Sequence, residues 1–395
     1  MIPYLREKFN KEFTEKKYQN FLAELDTSFK YPTDFRVSET PLFLSDEFYE
    51  ELLNACNDLT SQISSSDFRK RTDEIIPRVK SVNGEEEHPV FLQLDFAICK
   101  NEENSFIPKL IELQGFPSLY AYQSFFSSVL RKHFDIEDNL SSYFSGYNQE
   151  SYIRFLKEII VGNNDPQNVI LLEIEPAKQK TRIDFAATEK MLGIKTVDIS
   201  SLKQRDNKLF YFSNGLQIPV KRIYNRVILD EIDRKEIKYN FNFDDDLEVE
   251  WCGHPNWFLK ISKISLPLLS GKYVPQCYFL DELEKYPYEL SKFVLKPLFS
   301  FAGLGVEVDL TKEMLDKIAD KKNYILQEKI KYTPLIETPD EPSKVEIRMM
   351  FLWPKDKEPV LVNNLIRMSK GKMMGVDFNK NKTWVGSSVG YYLKH

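Results

Sequence analysis

The sequence predicts a mixed α/β (α+β) protein built from more than one lobe. With 395 residues the chain is long enough for two or three domains, or for one large enzyme with lobes. Hydrophobic residues make up 42% and aromatic residues 13% of the chain, which suffices for a packed core and argues against disorder. Strand-like and helix-like segments alternate in its middle part, which is typical of the units that build a parallel sheet.

Charge, cysteine content and the N-terminus limit the class of protein further. The formal net charge of −6 offers no electrostatic basis for binding nucleic acid or an anionic membrane. The four cysteines are scattered without CxxC or zinc-finger spacing, so we expect reduced thiols. The charged N-terminus lacks the apolar segment of a signal peptide, and no apolar run approaches the ~20 residues of a membrane span. We therefore expect a soluble, cytoplasmic protein.

The first part of the chain is predicted to hold two regions. Residues 1–80 form a mostly helical accessory region, with the clearest amphipathic helix at 46–63, where apolar residues recur on one side. Residues 81–160 begin with two strands, VFLQLDFAIC (90–99) and FIPKLIELQ (106–114), and continue with helices.

The rest of the chain is predicted to hold two more regions. Residues 165–240 contain a strand–helix–strand pattern that indicates a small Rossmann-like module, without the GxGxxG motif of a dinucleotide site. An acidic, turn-rich passage at 240–250 marks a boundary. Residues 245–395 contain further strands, in which the other candidate site residues lie.

Polar side chains on the two strands of the 81–160 region are predicted to meet. Side chains alternate faces along a strand, so Asp95 points away from the apolar face of its strand, and Glu112 and Gln114 share one face of theirs. If the strands pair as a hairpin, these three side chains converge. Two carboxylates and an amide oxygen suit Mg²⁺ with bound phosphates, because like charges need a cation between them. An exposed sheet face with ordinary polar residues is the alternative.

A strand followed by a small-residue loop predicts a phosphate-binding element. KFVLKP (292–297) brings Lys296 to the end of a strand, and SFAGLG (300–305) follows. Glycines let backbone N–H groups approach phosphate oxygens closely, and the lysine adds positive charge. A simple hairpin turn is the alternative.

Three later strands carry further candidates. NYILQEKI (323–330) can serve as a hinge whose backbone bonds an adenine edge, or as an ordinary strand end. Strands at 344–354 and 359–376 place Arg348 and Arg367 among apolar residues, where a charge is seldom kept for stability alone. A phosphate or a carboxylate would be a suitable partner, although each could be an ordinary strand arginine.

Taken together, these motifs resemble the ATP-grasp superfamily in circularly permuted order, as in eukaryotic glutathione synthetase and glutathionylspermidine-synthase-like proteins. In the usual order the lysine strand and the glycine loop come first and the acidic strands last. Here LQLDFAI and LIELQGFPS stand at the front, and VLKPLFSFAGLGV, LQEKI, VEIRMMF and NNLIRM follow. The resemblance covers roughly residues 90–125 and 255–370, and it implies that the 165–240 module is the Rossmann-like domain that accompanies such folds.

The resemblance implies a role for each candidate residue, with ATP and Mg²⁺ as the cofactors. Asp95, Glu112 and Gln114 would hold Mg²⁺, and Arg348 and Arg367 would grip the transferred phosphate or the substrate carboxylate. The residues implied to bind ATP, through its phosphates, the closing loop or the adenine hinge, are Lys263, Lys296, Ser300, Gly303, Gly305, Gln327, Glu328, Lys329 and Ile330.

Two features depart from the family pattern. Gln114 stands where asparagine is usual, which moves the amide oxygen one methylene further out. The loop at 300–305 also lacks the glutamate that permuted relatives often carry there as a metal ligand. The source of that ligand is therefore open.

The implied function is ATP-dependent ligation of a carboxylate to an amine, less often to a thiol, through an acyl phosphate. The substrates would be small or peptide-like, and a homodimer is one option because many relatives are dimers. Two alternatives stay open. One is a kinase of the same fold, which would release a stable phosphorylated product, and the other is a nucleotide-binding protein that has lost catalysis.

Overall fold

The structure, a computed structural model, describes residues 1–76, 82–298, 305–371, 374 and 379–394. Its fold is mixed α/β with several sheets, as the sequence predicts. Within the described residues the helices are α1 (Pro3–Glu12), α2 (Glu15–Thr27), α3 (Asp46–Ile63), α4 (Ser66–Ile75), α5 (Tyr120–His133), α6 (Gln149–Val161), α7 (Arg182–Leu192), α8 (Leu229–Arg234), α9 (Pro255–Lys260) and α10 (Lys312–Asp316).

The strands form five sheets in the part of the chain that the structure describes. They are β1 (Leu42–Phe43), β2 (Phe91–Lys100), β3 (Phe106–Gln114), β4 (Leu140–Ser141), β5 (Val169–Glu173), β6 (Lys195–Asp198), β7 (Lys203–Arg205), β8 (Lys208–Ser213), β9 (Leu216–Val220), β10 (Arg222–Asn225), β11 (Glu250–Cys252), β12 (Cys277–Phe279), β13 (Phe293–Pro297), β14 (Tyr324–Glu328), β15 (Lys344–Leu352), β16 (Val360–Ser369), β17 (Gly386–Ser388) and β18 (Gly390–Leu393).

A five-stranded antiparallel sheet in the order β17–β16–β15–β2–β3 carries the three candidate metal ligands and the two candidate arginines. Strands β2 and β3 pair as the predicted hairpin, with Asp95 opposite Glu112 and Gln93 opposite Gln114. The register shifts between Asp95 and Phe96, an irregularity that the sequence does not predict. Strand β15 pairs with the other edge of β2 and places Arg348 opposite Asp95.

Alternation separates the two faces of this sheet. Leu92, Leu94 and Phe96 of β2 are completely buried and belong to the same hydrophobic cluster as residues of α3. Helix α3 has the bounds that the sequence predicts. Its buried residues recur every three or four positions, which is the periodicity on which the prediction rests. The opposite face carries Asp95 and Arg348, together with apolar residues that belong to a second hydrophobic cluster.

A four-stranded parallel sheet in the order β11–β10–β5–β6 forms the second layer. Every residue of its strand β5 is buried, as expected of an inner strand of a parallel sheet. The sheet and helix α7 contain the strand–helix–strand pattern predicted at 165–240, and β11 extends it beyond that range. Whether this sheet is a Rossmann-like insert of a permuted ATP-grasp fold stays a prediction.

Two further groups of elements complete the architecture around the large sheet. A small antiparallel sheet, β12–β14–β13, pairs Lys296 with Ile325 and Val294 with Gln327. The N-terminal helices α1 and α2 pack in one hydrophobic cluster with residues of α5, α6 and α7. Residues 1–27 therefore share a core with the centre of the chain.

The carboxylate of Asp184 joins the parallel-sheet layer to the segment that follows β3. Its Oδ1 accepts hydrogen bonds from the backbone N–H groups of Ala121 at 3.1 Å and Tyr122 at 2.8 Å, and its Oδ2 accepts one from Leu119 at 3.1 Å. Leu119 precedes α5 in a left-handed conformation, with φ of 63°, and its apolar side chain cannot accept a hydrogen bond to cap that helix. Asp184 on α7 supplies the cap instead, and so fixes the turn between β3 and α5.

Replacement of Asp184 by alanine should therefore be strongly destabilising. Three buried N–H groups would lose their acceptor, and we expect the free energy of unfolding to fall by about 3 kcal/mol. Urea denaturation would measure the loss. The matched control is Asp165→Ala, since Asp165 caps only Gln167 in an exposed turn, at 3.0 Å, and should cost less than about 1 kcal/mol. Equal losses in the two variants would contradict the proposed cap.

Candidate active site

Asp95 is completely buried on β2 and binds two arginines from neighbouring strands. The Nε and Nη2 atoms of Arg348 donate to its two oxygens, each at 2.6 Å, and Nη2 of Arg367 donates to Oδ2 at 2.7 Å. Burial alone would raise the pKa of Asp95, but the two guanidinium groups outweigh it and hold the pKa below its usual value. Asp95 is therefore ionised and fixes both arginines.

Arg367 lies among three carboxylates that all approach one of its nitrogen atoms. Its Nη2 lies 2.7 Å from Asp95 Oδ2, 2.7 Å from Glu346 Oε2 and 3.9 Å from Glu112 Oε1. Burial tends to lower the pKa of Arg367, but these carboxylates more than compensate and raise it. Arg367 keeps 35% of its side-chain surface exposed and Arg348 only 8%, so Arg367 is the arginine that a ligand can reach.

Glu112 and Gln114 lie side by side on β3 at one end of a cavity. Nε2 of Gln114 donates to Oε1 of Glu112 at 2.8 Å. The cavity has a volume of about 390 Å³, and Lys263 lines the same end of it. The cavity therefore offers a carboxylate, an amide and an ammonium group within one space.

Lys296 reaches the same strand from the small sheet. Its Nζ donates to the carbonyl oxygen of Ile111 at 3.5 Å, and Nε2 of Gln327 donates to the same oxygen at 3.3 Å. Burial lowers the pKa of Lys296, and the charge of Glu112 opposes that effect. Burial likewise lowers the pKa of Lys263 to about 8, with Glu112 raising it and Lys296 lowering it further. Both lysines thus lie within electrostatic range of Glu112.

The other residues predicted to bind ATP are placed as follows. Ser300 and Gly303 lie outside the described residues. Gly305 has a φ of 74°, a conformation that favours glycine. Among the hinge residues, Glu328 accepts a hydrogen bond from the N–H of Gln276 at 3.2 Å, and Nζ of Lys329 donates to the carbonyl oxygen of Ser291, just before β13, at 2.6 Å.

The hinge side chains are therefore split between two directions. Gln327 points toward β3, whereas Glu328 and Lys329 form hydrogen bonds with residues next to strands β12 and β13. Ile330 packs against the hydrophobic cluster beneath the large sheet. Recognition of adenine by the backbone of 327–330 stays a prediction.

The oxygen atoms predicted to hold Mg²⁺ fall into two groups. Both oxygens of Asp95 bind guanidinium groups, whereas Glu112 and Gln114 face the cavity. Across residues 1–76, 82–298, 305–371, 374 and 379–394, no three His, Cys, Asp or Glu side chains are grouped so as to hold a metal ion. Mg²⁺ commonly binds one or two protein oxygens and takes phosphate and water for the rest. Glu112 and Gln114 fit that pattern if the Gln114 amide turns its oxygen toward the ion.

The other end of the cavity lies at the carboxyl ends of parallel strands β5 and β10. Glu173 ends β5, and Arg226 follows β10; their Oε2 and Nε atoms are 3.1 Å apart, and both side chains are buried. Arg226 also donates to the carbonyl of Pro117, and its Cζ lies 4.5 Å from the ring centre of Phe116. Ligands of open α/β sheets commonly bind at this edge.

Four residues near the site were missing from the sequence-based candidates. Glu346 could have been found, because it lies two positions before Arg348 and alternation puts both on one face. Glu173 ends β5 and Arg226 follows β10, but in the sequence each is a single charged residue within an apolar segment, which is a weaker signal. Tyr332, whose hydroxyl donates to Oε1 of Glu346, lies in the loop after β14 and has no sequence signal of its own.

Comparison with known proteins supports the fold alone. Neither a protein-family model nor the sequence of a curated protein matches the chain. Among solved structures, the apo form of a glutathione synthetase-like effector from Globodera pallida superposes with a TM-score of 0.55 at 10% sequence identity. The match covers 91% of this chain and 90% of that chain, so the two share an overall fold. In the described parts of this chain, every helix is too short or too polar to cross a membrane.

The buried pair of Glu173 and Arg226 predicts a pH dependence of stability. Burial raises the pKa of Glu173 from 4.5 to about 7, although Arg226 opposes the shift. Between these values the folded protein holds a proton that the unfolded chain has lost, so the free energy of unfolding falls as pH rises. We expect the Glu173→Gln variant to lack this decrease, so its free energy of unfolding should fall less than that of the wild type between pH 4.5 and about 7.

Urea denaturation at a series of pH values would measure this difference. The control is Glu250→Gln, because Glu250 also pairs with an arginine, Arg222, but keeps 61% of its side chain exposed. Its profile should run parallel to that of the wild type. A parallel profile for Glu173→Gln would show that Glu173 keeps an ordinary pKa.

Proposed function

We propose that this protein is an ATP-dependent ligase of the ATP-grasp type, in circularly permuted form, that joins a carboxylate to an amine or a thiol. The observation that carries the proposal is that Lys263 lines the same cavity as Glu112, while Lys296 and Arg367 lie within electrostatic range of Glu112. These residues come from four separate parts of the chain, and their order along it resembles the permuted family pattern. The shared fold with a glutathione synthetase-like protein is consistent with the same assignment.

Two lysines would bind the phosphates of ATP. Lys263 and Lys296 are largely removed from water, and burial lowers the pKa of both. The negative charge around the two ammonium groups is therefore too small to offset their loss of hydration. A polyphosphate between them would provide the missing negative charge and restore their usual protonation. The closing loop at 300–305 would then add backbone N–H groups.

Glu112 and Gln114 would hold Mg²⁺ beneath the phosphates. When bound, the ion would neutralise phosphate charge and orient the terminal phosphoryl group for in-line attack. Asp95 would act indirectly, because its oxygens already bind Arg348 and Arg367. Its task is to hold Arg367 beside Glu112, where a guanidinium group can stabilise charge on the transferred phosphoryl group.

The cavity would accept the substrates on the side away from the small sheet. A substrate carboxylate at its Glu112 end would attack the γ-phosphate, with formation of the acyl C–O–P bond and release of ADP. The amine would then displace phosphate from the acyl carbon, form the C–N bond and lose a proton. We place both substrates in this cavity, which Glu112 and Lys263 line together with Glu173 and Arg226.

Binding of Mg·ATP should depend on Lys296. Lys296→Ala removes a cation from the phosphate site, and we expect its dissociation constant for Mg·ATP to rise by about tenfold or more. Isothermal titration calorimetry would measure the change. The matched control is Lys292→Ala, because Lys292 lies just before the same strand but is 61% exposed and pairs with Glu289. If the wild-type protein does not bind Mg·ATP at millimolar concentration, the proposed function is contradicted.

Turnover should require an acid and an amine together. We expect ADP and phosphate to appear only when an amino acid or peptide and an amine are both present, in a screen that varies the two independently. Glu112→Gln should abolish this signal, because it removes the only charged oxygen proposed to bind the metal. A stable phosphorylated product without an amine would indicate the kinase alternative, and nucleotide binding without turnover would indicate a protein that has lost catalysis.

A further inference from the structure

Glu346 is a buried carboxylate that faces the candidate site. It lies on β15, is 3% exposed, and is the cross-strand partner of Arg367 on β16. Its Oε2 atom is 2.7 Å from Nη2 of Arg367. Its other oxygen, Oε1, accepts a hydrogen bond from the hydroxyl of Tyr332. The two contacts therefore involve different oxygens of the carboxylate.

Asp95 alone does not define the direction of Arg367. Arg348 binds Asp95 through two parallel hydrogen bonds, which leaves Arg367 a share of Oδ2 only. The Nε atom of Arg367 is buried and has no hydrogen-bond partner among the described residues. Glu346 approaches the same Nη2 atom at 2.7 Å, so carboxylates on two different strands hold that atom. The second contact therefore restricts where Nη2 can lie relative to Glu112, whose Oε1 atom is 3.9 Å away.

We propose that Glu346, oriented by Tyr332, is a positioning residue that aims the guanidinium group of Arg367 at the cleft beside Glu112. The inference rests on the proposed function, because it gives Arg367 the transferred phosphoryl group as its target. Tyr332 adds a link to the nucleotide side of the site. It follows hinge strand β14, and the next residue, Thr333, donates its N–H to the carbonyl of Ile98 on β2 at 3.0 Å.

A purely structural role predicts a different outcome. A buried ion pair contributes little net stability, since its attraction only offsets the loss of hydration. If Glu346 merely packed the sheet, its replacement would affect every ligand state equally or none. A positioning role instead affects the state in which the phosphoryl group is in transfer, because only then does Arg367 contact it.

The experiment compares two ligand states by isothermal titration calorimetry. Mg·ADP represents the ground state, and Mg·ADP with aluminium fluoride mimics the phosphoryl group in transfer. Glu346→Gln keeps the size of the side chain and an acceptor for Tyr332 but removes the charge. We expect it to weaken binding of the fluoride complex by about tenfold and to leave Mg·ADP within about twofold of the wild type.

Two further variants make the comparison decisive. Glu250→Gln removes the carboxylate of another cross-strand arginine pair, Arg222 with Glu250, and should change neither affinity. Tyr332→Phe serves if Glu346→Gln fails to fold, and it should weaken the fluoride complex selectively by about threefold. The variants' thermal unfolding would confirm that each is folded.

Each outcome separates the two proposals. Two results would overturn the role of Glu346 while leaving the proposed function intact. In one, both site variants bind the fluoride complex as tightly as the wild type does. In the other, the variants weaken the binding of Mg·ADP and of the fluoride complex equally. The same holds if fluoride adds nothing to Mg·ADP affinity in the wild type. A wild type that binds neither Mg·ADP nor Mg·ATP would instead refute the proposed function.

Discussion

The burial of one carboxylate, that of Asp95, constrains the rest of the site. An ionised group with no exposure to water must be met by cations and hydrogen bonds. Arg348 and Arg367 meet it from strands β15 and β16, so these strands must stay in register with β2. The same register places Glu112 directly across from Asp95 on β3. One electrostatic requirement thus aligns four strands and gathers the polar residues of the large sheet on one face.

The charged and polar residues of the site therefore fall into a buried group and an accessible group. Asp95 and Arg348 are sealed within the sheet, whereas Glu112, Gln114 and part of Arg367 remain reachable. The turn after β3 is fixed separately, by Asp184 at the start of α5 and by Arg226 at the carbonyl of Pro117. The accessible end of β3 is therefore anchored by the parallel sheet as well as by its own hairpin. Such anchoring suits a site that must hold a metal–phosphate complex without rearrangement.

Sequence periodicity predicts the local elements of this fold well, since alternation and helical spacing are local properties. The hairpin of β2 and β3, helix α3 and the strand with Arg348 appear where they are predicted. The strand with Arg367 is also present, but it ends at Ser369 and not at the predicted residue 376. The segment that begins at Lys263 is a 3-10 helix, Lys263–Leu268, with Pro267 inside it. A proline removes a donor and prevents a regular α-helix there.

Long-range pairing is the part that periodicity cannot predict. Nothing local to Asp184 shows that it caps a helix 63 residues earlier in the chain. Likewise, the sequence suggests a metal ligand in Asp95 because it cannot show that two arginines from residues 344–369 reach that carboxylate. Alternation places Glu346 on the same face as Arg348, but its contacts with Arg367 and Tyr332 are long-range and are seen only in the structure.

A crystal structure with Mg²⁺ and a non-hydrolysable ATP analogue would test the central claim most directly. The account predicts the triphosphate between Lys263 and Lys296, with the ion bound to Glu112 and Gln114 and with Arg367 directed at the γ-phosphate. Asp95 should still bind both arginines. A nucleotide bound elsewhere, or a metal bound by Asp95 in place of Arg348, would contradict it.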